Sequence, residues 1–206
     1  MRFLMFVFVC ECILCHPSAG KTDEWRPTGI AAHAKIVGTG SIRLPVTIDG
    51  KTYKFAVDTG TCDTIISTRG WVPKNTDDGI VLPTRPVVSF LVQGTRCEWI
   101  KEIVAIDLSH LSSETGEPLD GIIGTDVLRR FIVHIDPDAE SLLLVSAQSE
   151  SKPPGDPIRL KVDDTGIPAV EMMLHNGQRL DFVIDTGLGG CVIVDRDKQE
   201  RLAGER

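Results

Sequence analysis

The chain is poor in aromatic residues, in positive charge and in metal-binding patterns. Aromatic residues make up 5% of its 206 residues, so a hydrophobic core has to rely on Val, Ile and Leu. The net charge is -7 at pH 7 without a run of basic residues, which argues against a nucleic-acid-binding surface. The cysteines and histidines show no spacing typical of a metal site. The sequence therefore predicts no nucleic-acid partner, no metal and no cofactor.

The apolar run at the N-terminus is too short to span a lipid bilayer. Residues 1–10 combine a basic start with this run, and small residues at 18–20 offer a cleavage site, which is typical of a secretory signal. We predict a signal peptide over residues 1–20 and an exported protein, either periplasmic or extracellular. A membrane location would require a lipid on Cys15, but the bulky Leu14 before it disfavours lipid attachment.

Three cysteines follow the predicted signal peptide: Cys62, Cys97 and Cys191. In an oxidising compartment Cys62 and Cys97 could form a disulfide bond and leave Cys191 single. Free buried thiols are the alternative, and both interpretations stay open.

Two stretches of the chain share one design, an apolar run that ends in Asp-Thr-Gly. They occupy residues 55–66 and 182–193. An acid at the end of a buried strand is costly unless it is hydrogen-bonded or paired. The glycine permits a tight turn, so that backbone N–H groups reach the carboxylate. Two copies predict that the carboxylates of Asp58 and Asp185 lie together.

The two stretches belong to an internal repeat, because the similarity extends beyond them at the same offset. Asp58 and Asp185 are 127 residues apart, and without a gap this offset pairs the dipeptide Asp49-Gly50 with Asn176-Gly177. Each dipeptide lies between strand-like runs and predicts a β-hairpin, with a type I′ turn in the first copy. The second copy has no counterpart of residues 120–128.

Strand patterns dominate the chain, with one short helix predicted after the apolar residues that lead to Gly124. We therefore predict an all-β protein. An irregular lead-in over residues 21–35 precedes a first lobe over 36–145. A Ser- and Pro-rich linker over 146–157 precedes a partial second lobe over 158–206.

The first Asp-Thr-Gly motif and the stretch at 120–128, Asp-Gly-Ile-Ile-Gly-Thr-Asp-Val-Leu, resemble the retropepsin-like aspartic peptidases. The resemblance is to bacterial enzymes with two such repeats and to retroviral proteases. It covers residues 36–145 and, as a partial repeat, residues 158–194. It implies a retropepsin/pepsin-like acid protease fold with one complete and one incomplete lobe. Within it, Thr125 or Asp126 is expected to cap the short helix.

The resemblance implies an aspartic-type endopeptidase. Asp58 and Asp185 would share one proton and activate a water molecule that attacks a peptide bond. The reaction needs neither a covalent intermediate nor a metal. The family also implies threonines that hydrogen-bond across the lobes and glycines that bring N–H groups to the carboxylates: Thr59, Thr186, Gly60 and Gly187.

Residues that contact an extended peptide substrate are implied as well. Asp63 lies at a position where retroviral proteases bind the substrate backbone, and a solvated turn acid is the alternative. A β-hairpin flap is implied within residues 71–86, with its tip near Asp78 and Gly79.

The incomplete second lobe leaves three states open. The chain could be a shortened two-lobe enzyme that uses Asp58 with Asp185. It could form a homodimer in which each subunit contributes Asp58, as retroviral proteases do. It could also be an inactive descendant, and the alternative function is then a peptide- or partner-binding domain that uses the same cleft.

Overall fold

The computed structural model describes residues 5–7, 13–16, 27–37, 41–68, 74–76, 79–111, 118–136, 138–149 and 156–187. These residues are nearly all in strands and turns, so the predicted all-β class is confirmed. The strands are β1 (Met5–Val7), β2 (Ile13–His16), β3 (Ile30–Val37), β4 (Ser41–Ile48), β5 (Lys51–Val57), β6 (Ile65–Ser67), β7 (Lys74–Thr76), β8 (Gly79–Val81), β9 (Thr84–Pro86), β10 (Phe90–Val92), β11 (Thr95–Arg96), β12 (Glu102–Ile106), β13 (Gly121–Ile123), β14 (Phe131–Asp136), β15 (Ser141–Ser146), β16 (Asp156–Arg159), β17 (Lys161–Val162), β18 (Pro168–Met173) and β19 (Arg179–Val183).

Helical structure is limited within these ranges. A short helix, α1 (Thr125–Leu128), lies between β13 and β14, and residues 109–111 are also helical. Across the described part of the chain, none of the helices has the length and apolar character needed to cross a bilayer.

Most strands of the first lobe join into one large sheet, which also includes β1. It has 12 strands in the order β1-β14-β15-β3-β4-β5-β13-β6-β12-β9, and β10 and β11 extend it from β4. The second repeat contributes a separate three-stranded sheet, β17-β18-β19, and β16-β2 and β7-β8 form two-stranded sheets. The two Asp-Thr-Gly motifs therefore follow strands of different sheets, β5 and β19.

The strand β5 is held on both sides, which fixes the position of the first motif. It pairs antiparallel with β4 and parallel with β13. Phe55 is fully buried and packs edge-on against Phe90, with ring centroids 6.4 Å apart. The rest of the core consists mainly of Val, Ile and Leu, as the scarcity of aromatic residues requires. Close packing of this kind leaves the end of β5 little freedom.

The hairpin predicted at Asp49-Gly50 is confirmed. Both residues have positive φ, 50° and 82°, as a type I′ turn requires. The second hairpin, β18–β19, is also present, but its turn is wider, because the last strand pair is Met173 with Arg179. In that loop the Asn176 side chain accepts a hydrogen bond from the Gln178 N–H at 3.0 Å. This local bond stabilises a longer loop.

The predicted irregular lead-in is wrong at its C-terminal end, because β3 begins at Ile30. Ala32 and Ala34 alternate into the core and are 3% and 5% exposed, which is the period of a half-buried strand. Alanine has a weak strand preference, so composition concealed this strand. Residues 150–155 of the predicted linker and residues 188–206 lie outside the described residues.

Candidate active site

Each Asp-Thr-Gly motif begins where a strand is anchored by a backbone hydrogen bond. The Asp58 N–H donates to the Ile123 carbonyl of β13 at 3.1 Å. In the second repeat the Ile184 N–H, one residue before Asp185, donates to the Pro168 carbonyl at 2.8 Å. Neighbouring strands therefore fix the backbone at both acids.

The two motifs are joined by a reciprocal pair of threonines. The Thr59 N–H donates to Thr186 Oγ1 at 3.1 Å, and the Thr186 N–H donates to Thr59 Oγ1 at 3.1 Å. The Thr59 hydroxyl donates onward to the Ile184 carbonyl at 2.6 Å, and the Thr186 hydroxyl to the Val57 carbonyl at 2.9 Å. Thr59 is only 1% exposed. The structure thus brings these two predicted site residues together within one chain.

Both carboxylates accept a hydrogen bond from the glycine of their own motif. The Gly60 N–H lies 2.8 Å from Asp58 Oδ1, and the Gly187 N–H lies 2.8 Å from Asp185 Oδ1. Asp58 also accepts a bond from the Thr61 hydroxyl at its other oxygen, Oδ2, at 2.9 Å. The two half-sites are therefore alike at the glycine.

Each carboxylate lies against the glycine of the opposite motif. A Cβ atom on Gly60 would lie 2.6 Å from Asp185 Cγ, and a Cβ atom on Gly187 would lie 2.5 Å from Asp58 Cγ. Any other residue would push the opposite acid away. The glycines therefore allow the two acids to approach each other across the junction of the repeats.

The environment of Asp58 favours its protonated form. Burial is the main cause that raises the pKa of this carboxyl, and the negative charge of Asp185 and the hydrogen bonding between the two groups raise it further. Hydrogen bonds from Thr61 and Gly60 act in the opposite direction. A close pair of acids that retains one proton contains a proton donor and a proton acceptor side by side.

The loop after Asp58 is supported by the stretch around α1. The hydroxyl of Thr64, which is fully buried, donates to Asp126 Oδ1 at 2.7 Å and accepts a bond from the Gly124 N–H at 3.2 Å. The Thr125 N–H donates to the Thr61 carbonyl at 2.8 Å. These bonds connect the first Asp-Thr-Gly stretch with the stretch at 120–128, which is distant in the chain.

The prediction that Thr125 or Asp126 caps α1 is wrong. The N-cap residue is Gly124, without a side-chain capping bond. The helix start packs so closely on the first motif that a Cβ atom on Gly124 would lie 2.6 Å from the Asp63 carbonyl oxygen. Asp126 Oδ1 accepts bonds from the Thr64 hydroxyl at 2.7 Å and from the Val127 N–H at 2.8 Å, and burial raises the pKa of this carboxyl.

The predicted substrate-binding residues are not brought together by a described contact. Asp63 is exposed, and its carboxylate accepts a bond from the Cys62 thiol at 3.3 Å. Gly79 begins β8 and pairs with Thr76 of β7, so a β-hairpin exists where the flap is predicted. Asp78 lies outside the described residues.

Cys62 and Cys97 are free thiols, so the first of the two alternatives for them, a disulfide bond, is not present. Burial raises the pKa of Cys97 to about 12 and also raises that of Cys62. A high pKa leaves little reactive thiolate. Cys191 lies outside the described residues.

Sequence reasoning assigned no role to Thr61 or Thr64, and it gave the hydroxyl of Thr125 no role besides that of a helix cap. Thr61 had a local signal, because a hydroxyl residue shortly after a turn acid commonly bonds to it. The other two had none, since the partner of Thr64 is 62 residues away and the carbonyl that the Thr125 hydroxyl contacts is 40 residues away. Within the described ranges, no group of three or more His, Cys, Asp or Glu residues could hold a metal ion.

Comparison with known proteins gives similarity at the level of solved structures. No protein-family model and no curated protein matches the chain. A retropepsin-like aspartic protease from Rickettsia conorii is similar, with 20% identity and a TM-score of 0.40 over 60% of this chain and 95% of that chain. An aspartic proteinase from Irpex lacteus is also similar, with 19% identity and a TM-score of 0.39 over 73% of this chain and 58% of that chain.

Proposed function

We propose that the chain is an aspartic-type endopeptidase that hydrolyses peptide bonds with Asp58 and Asp185. The observation that carries the proposal is the reciprocal hydrogen bonding of Thr59 and Thr186. It places two acids from homologous positions at one junction, where each lies against the glycine of the opposite motif.

The chemistry follows from one proton shared between two acids. The ionised carboxylate takes a proton from a water molecule, and the protonated carboxyl donates to the carbonyl oxygen of the scissile bond. The C–N bond of the tetrahedral gem-diol intermediate then breaks as the protonated carboxyl donates its proton to the leaving nitrogen. The ionised carboxylate takes a proton from a gem-diol hydroxyl in the same step, so the pair again holds one proton. The raised pKa of Asp58 supports a pair that retains one proton, and this proton belongs to the pair rather than to one residue.

The same geometry favours Asp185 over a second copy of Asp58 as the partner acid. The N–H and hydroxyl of Thr59 are already used by Thr186 and Ile184 of the same chain. A second subunit would have to displace these bonds before its own motif could take their place. The single-chain site and the homodimer site differ in the role of Asp185, so one substitution at this residue distinguishes them.

The proposed substrate is an extended segment of a peptide or protein. Such a segment would lie across the two acids, with the β7–β8 hairpin as the candidate flap. The exposed carboxylate of Asp63 could accept hydrogen bonds from backbone N–H groups of the substrate.

The test is cleavage of an unstructured peptide by the purified full chain. Asp58→Asn and Asp185→Asn should each lower kcat by about 10²–10⁴-fold, because each removes one proton-transfer group. Asp164→Asn, a change of an exposed acid in the second repeat, is the matched control and should cleave normally.

Two outcomes would redirect the proposal. Full activity of Asp185→Asn with an inactive Asp58→Asn would support the homodimer in which both acids are Asp58. Peptide binding without cleavage by the unmodified chain would support the alternative, a non-enzymatic binding domain.

A further inference from the structure

A second connection between the two repeats runs through Thr125, separately from the reciprocal threonine pair. Thr125 is 3% exposed, and its hydroxyl donates to the Thr165 carbonyl of the second repeat at 2.8 Å. The same oxygen lies 3.4 Å from the Cys62 carbonyl. A single buried hydroxyl group therefore contacts both repeats.

On the side of the first repeat, the connection leads to Asp58. The Thr125 N–H donates to the Thr61 carbonyl at 2.8 Å. The Thr61 hydroxyl in turn donates to Asp58 Oδ2 at 2.9 Å. A shift of Thr125 would therefore move the residue that binds Oδ2 of Asp58.

On the side of the second repeat, the connection leads to Asp185. Asp163 Oδ1 accepts bonds from the Thr165 N–H at 2.9 Å and the Ile167 N–H at 3.2 Å, which fixes the turn that carries Thr165. Pro168 follows this turn, and its carbonyl accepts the Ile184 N–H at 2.8 Å. Ile184 directly precedes Asp185.

Together the two connections restrict the relative orientation of the two repeats more than either connection does alone. The reciprocal threonines form a compact junction about which two rigid halves could rotate. A second attachment at a different point removes that rotation. The relative position of two acids at the junction then depends on both attachments.

We infer that Thr125 is a positioning residue, which sets the separation of Asp58 and Asp185 through its hydrogen bond to Thr165. The inference rests on the proposed function, in which that separation matters for the shared proton. The competing interpretation is that the hydroxyl adds only stability.

Thr125→Val removes the hydroxyl and keeps the shape, and Thr125→Ser restores the hydroxyl. We expect Thr125→Val to lower kcat about tenfold, because small misplacements of reacting groups are costly. KM should stay within about twofold, because uniform substrate binding is unaffected. Thr125→Ser should recover most of the lost kcat.

Thr95→Val is the matched control. The Thr95 hydroxyl also donates to a backbone carbonyl, that of Ala31 at 2.9 Å, but both residues lie outside the second repeat. This variant should lose a similar amount of thermal stability and keep its kcat. Equal kcat losses in Thr95→Val and Thr125→Val would overturn the inference, as would an unchanged kcat in Thr125→Val.

A second measurement does not depend on peptidase activity. Carboxyl carbon NMR of the full chain, labelled at aspartate, follows the paired titration of the two acids. The two apparent pKa values of a coupled pair become more similar when the distance between the acids increases. Thr125→Val should therefore reduce the difference between the two pKa values, and Thr125→Ser should restore it. An unchanged titration overturns the positioning role. A changed titration in a chain that cleaves no peptide upholds it and overturns the proposed function instead.

Discussion

At the scale of single residues, Asp58 occupies a place that favours reactivity over stability. Its carboxyl is partly buried beside a second acid, and both features raise its pKa. A carboxyl with a raised pKa opposes folding when it is forced to ionise. The residue proposed to drive catalysis should therefore lower the stability of the protein at neutral pH.

The stability of the Asp58→Asn variant, relative to that of the unmodified protein, should increase as the pH rises. The folded chain binds the Asp58 proton more tightly than the unfolded chain. The contribution of this carboxyl to the free energy of unfolding is therefore fully present at low pH. It is lost as the pH rises from 3.8 through the raised pKa of the folded state. Asparagine does not titrate, so the free energy of unfolding of the variant, minus that of the unmodified protein, should increase over this window.

Urea unfolding at a series of pH values measures this difference. Asp164→Asn removes an exposed acid of the second repeat, and the difference for Asp58→Asn is compared with that of this control. A difference for Asp58→Asn that falls with rising pH would show that ionised Asp58 is stabilised in the folded protein.

At the scale of elements, the turn between β4 and β5 also holds a neighbouring loop. Asp49 Oδ1 accepts the N–H groups of Val88 and Ser89, both at 2.9 Å. Its Oδ2 atom forms an ion pair with Arg85 at 3.3 Å. One side chain therefore joins the β4–β5 hairpin to the segment that leads into β10.

Asp49→Ala should lower the melting temperature by several degrees. It removes the acceptor of two backbone N–H groups, and it places alanine at a φ of 50°, which alanine tolerates less well than Asp or Asn. Asp49→Asn keeps an acceptor oxygen and the tolerance for positive φ, so its melting temperature should stay close to that of the unmodified protein. Equal losses in the two variants would show that the ion pair with Arg85 dominates.

The strands and turns also show which parts of the fold could be predicted from the sequence. The turn at Asp49-Gly50 was predictable because its chemistry is local, and the same reasoning located the second hairpin without its wider loop. The strand β3 was concealed because alanines carry its alternation. The cap at Gly124 and the bond from Thr125 to Thr165 were not predictable, since both depend on segments that are remote in the chain and meet only after folding.

At the scale of the whole molecule, the paired motifs meet inside one chain. The reciprocal bonds of Thr59 and Thr186 join β5 of the large sheet to β19 of the three-stranded sheet. Under the proposed function, a site built in this way takes both acids from one chain. The activity per molecule should therefore not depend on protein concentration.

Mixing the Asp58→Asn and Asp185→Asn variants tests this prediction. Each chain then lacks one acid, so the mixture should remain as inactive as either variant alone, and the unmodified protein should show activity proportional to its concentration. Recovery of cleavage in the mixture, or a loss of specific activity on dilution, would indicate a site shared between subunits. Asp164→Asn mixed with the unmodified protein controls for effects of mixing.

The reciprocal threonine pair also bears on how the two halves can diverge. Each hydroxyl donates to a backbone carbonyl of the opposite half, so a change that deletes one of them weakens both halves at once. Loss of either Thr59 or Thr186 should therefore disturb the backbone beside both acids. Among descendants of such a repeated motif, both positions should keep a hydroxyl residue even where the rest of each half has drifted.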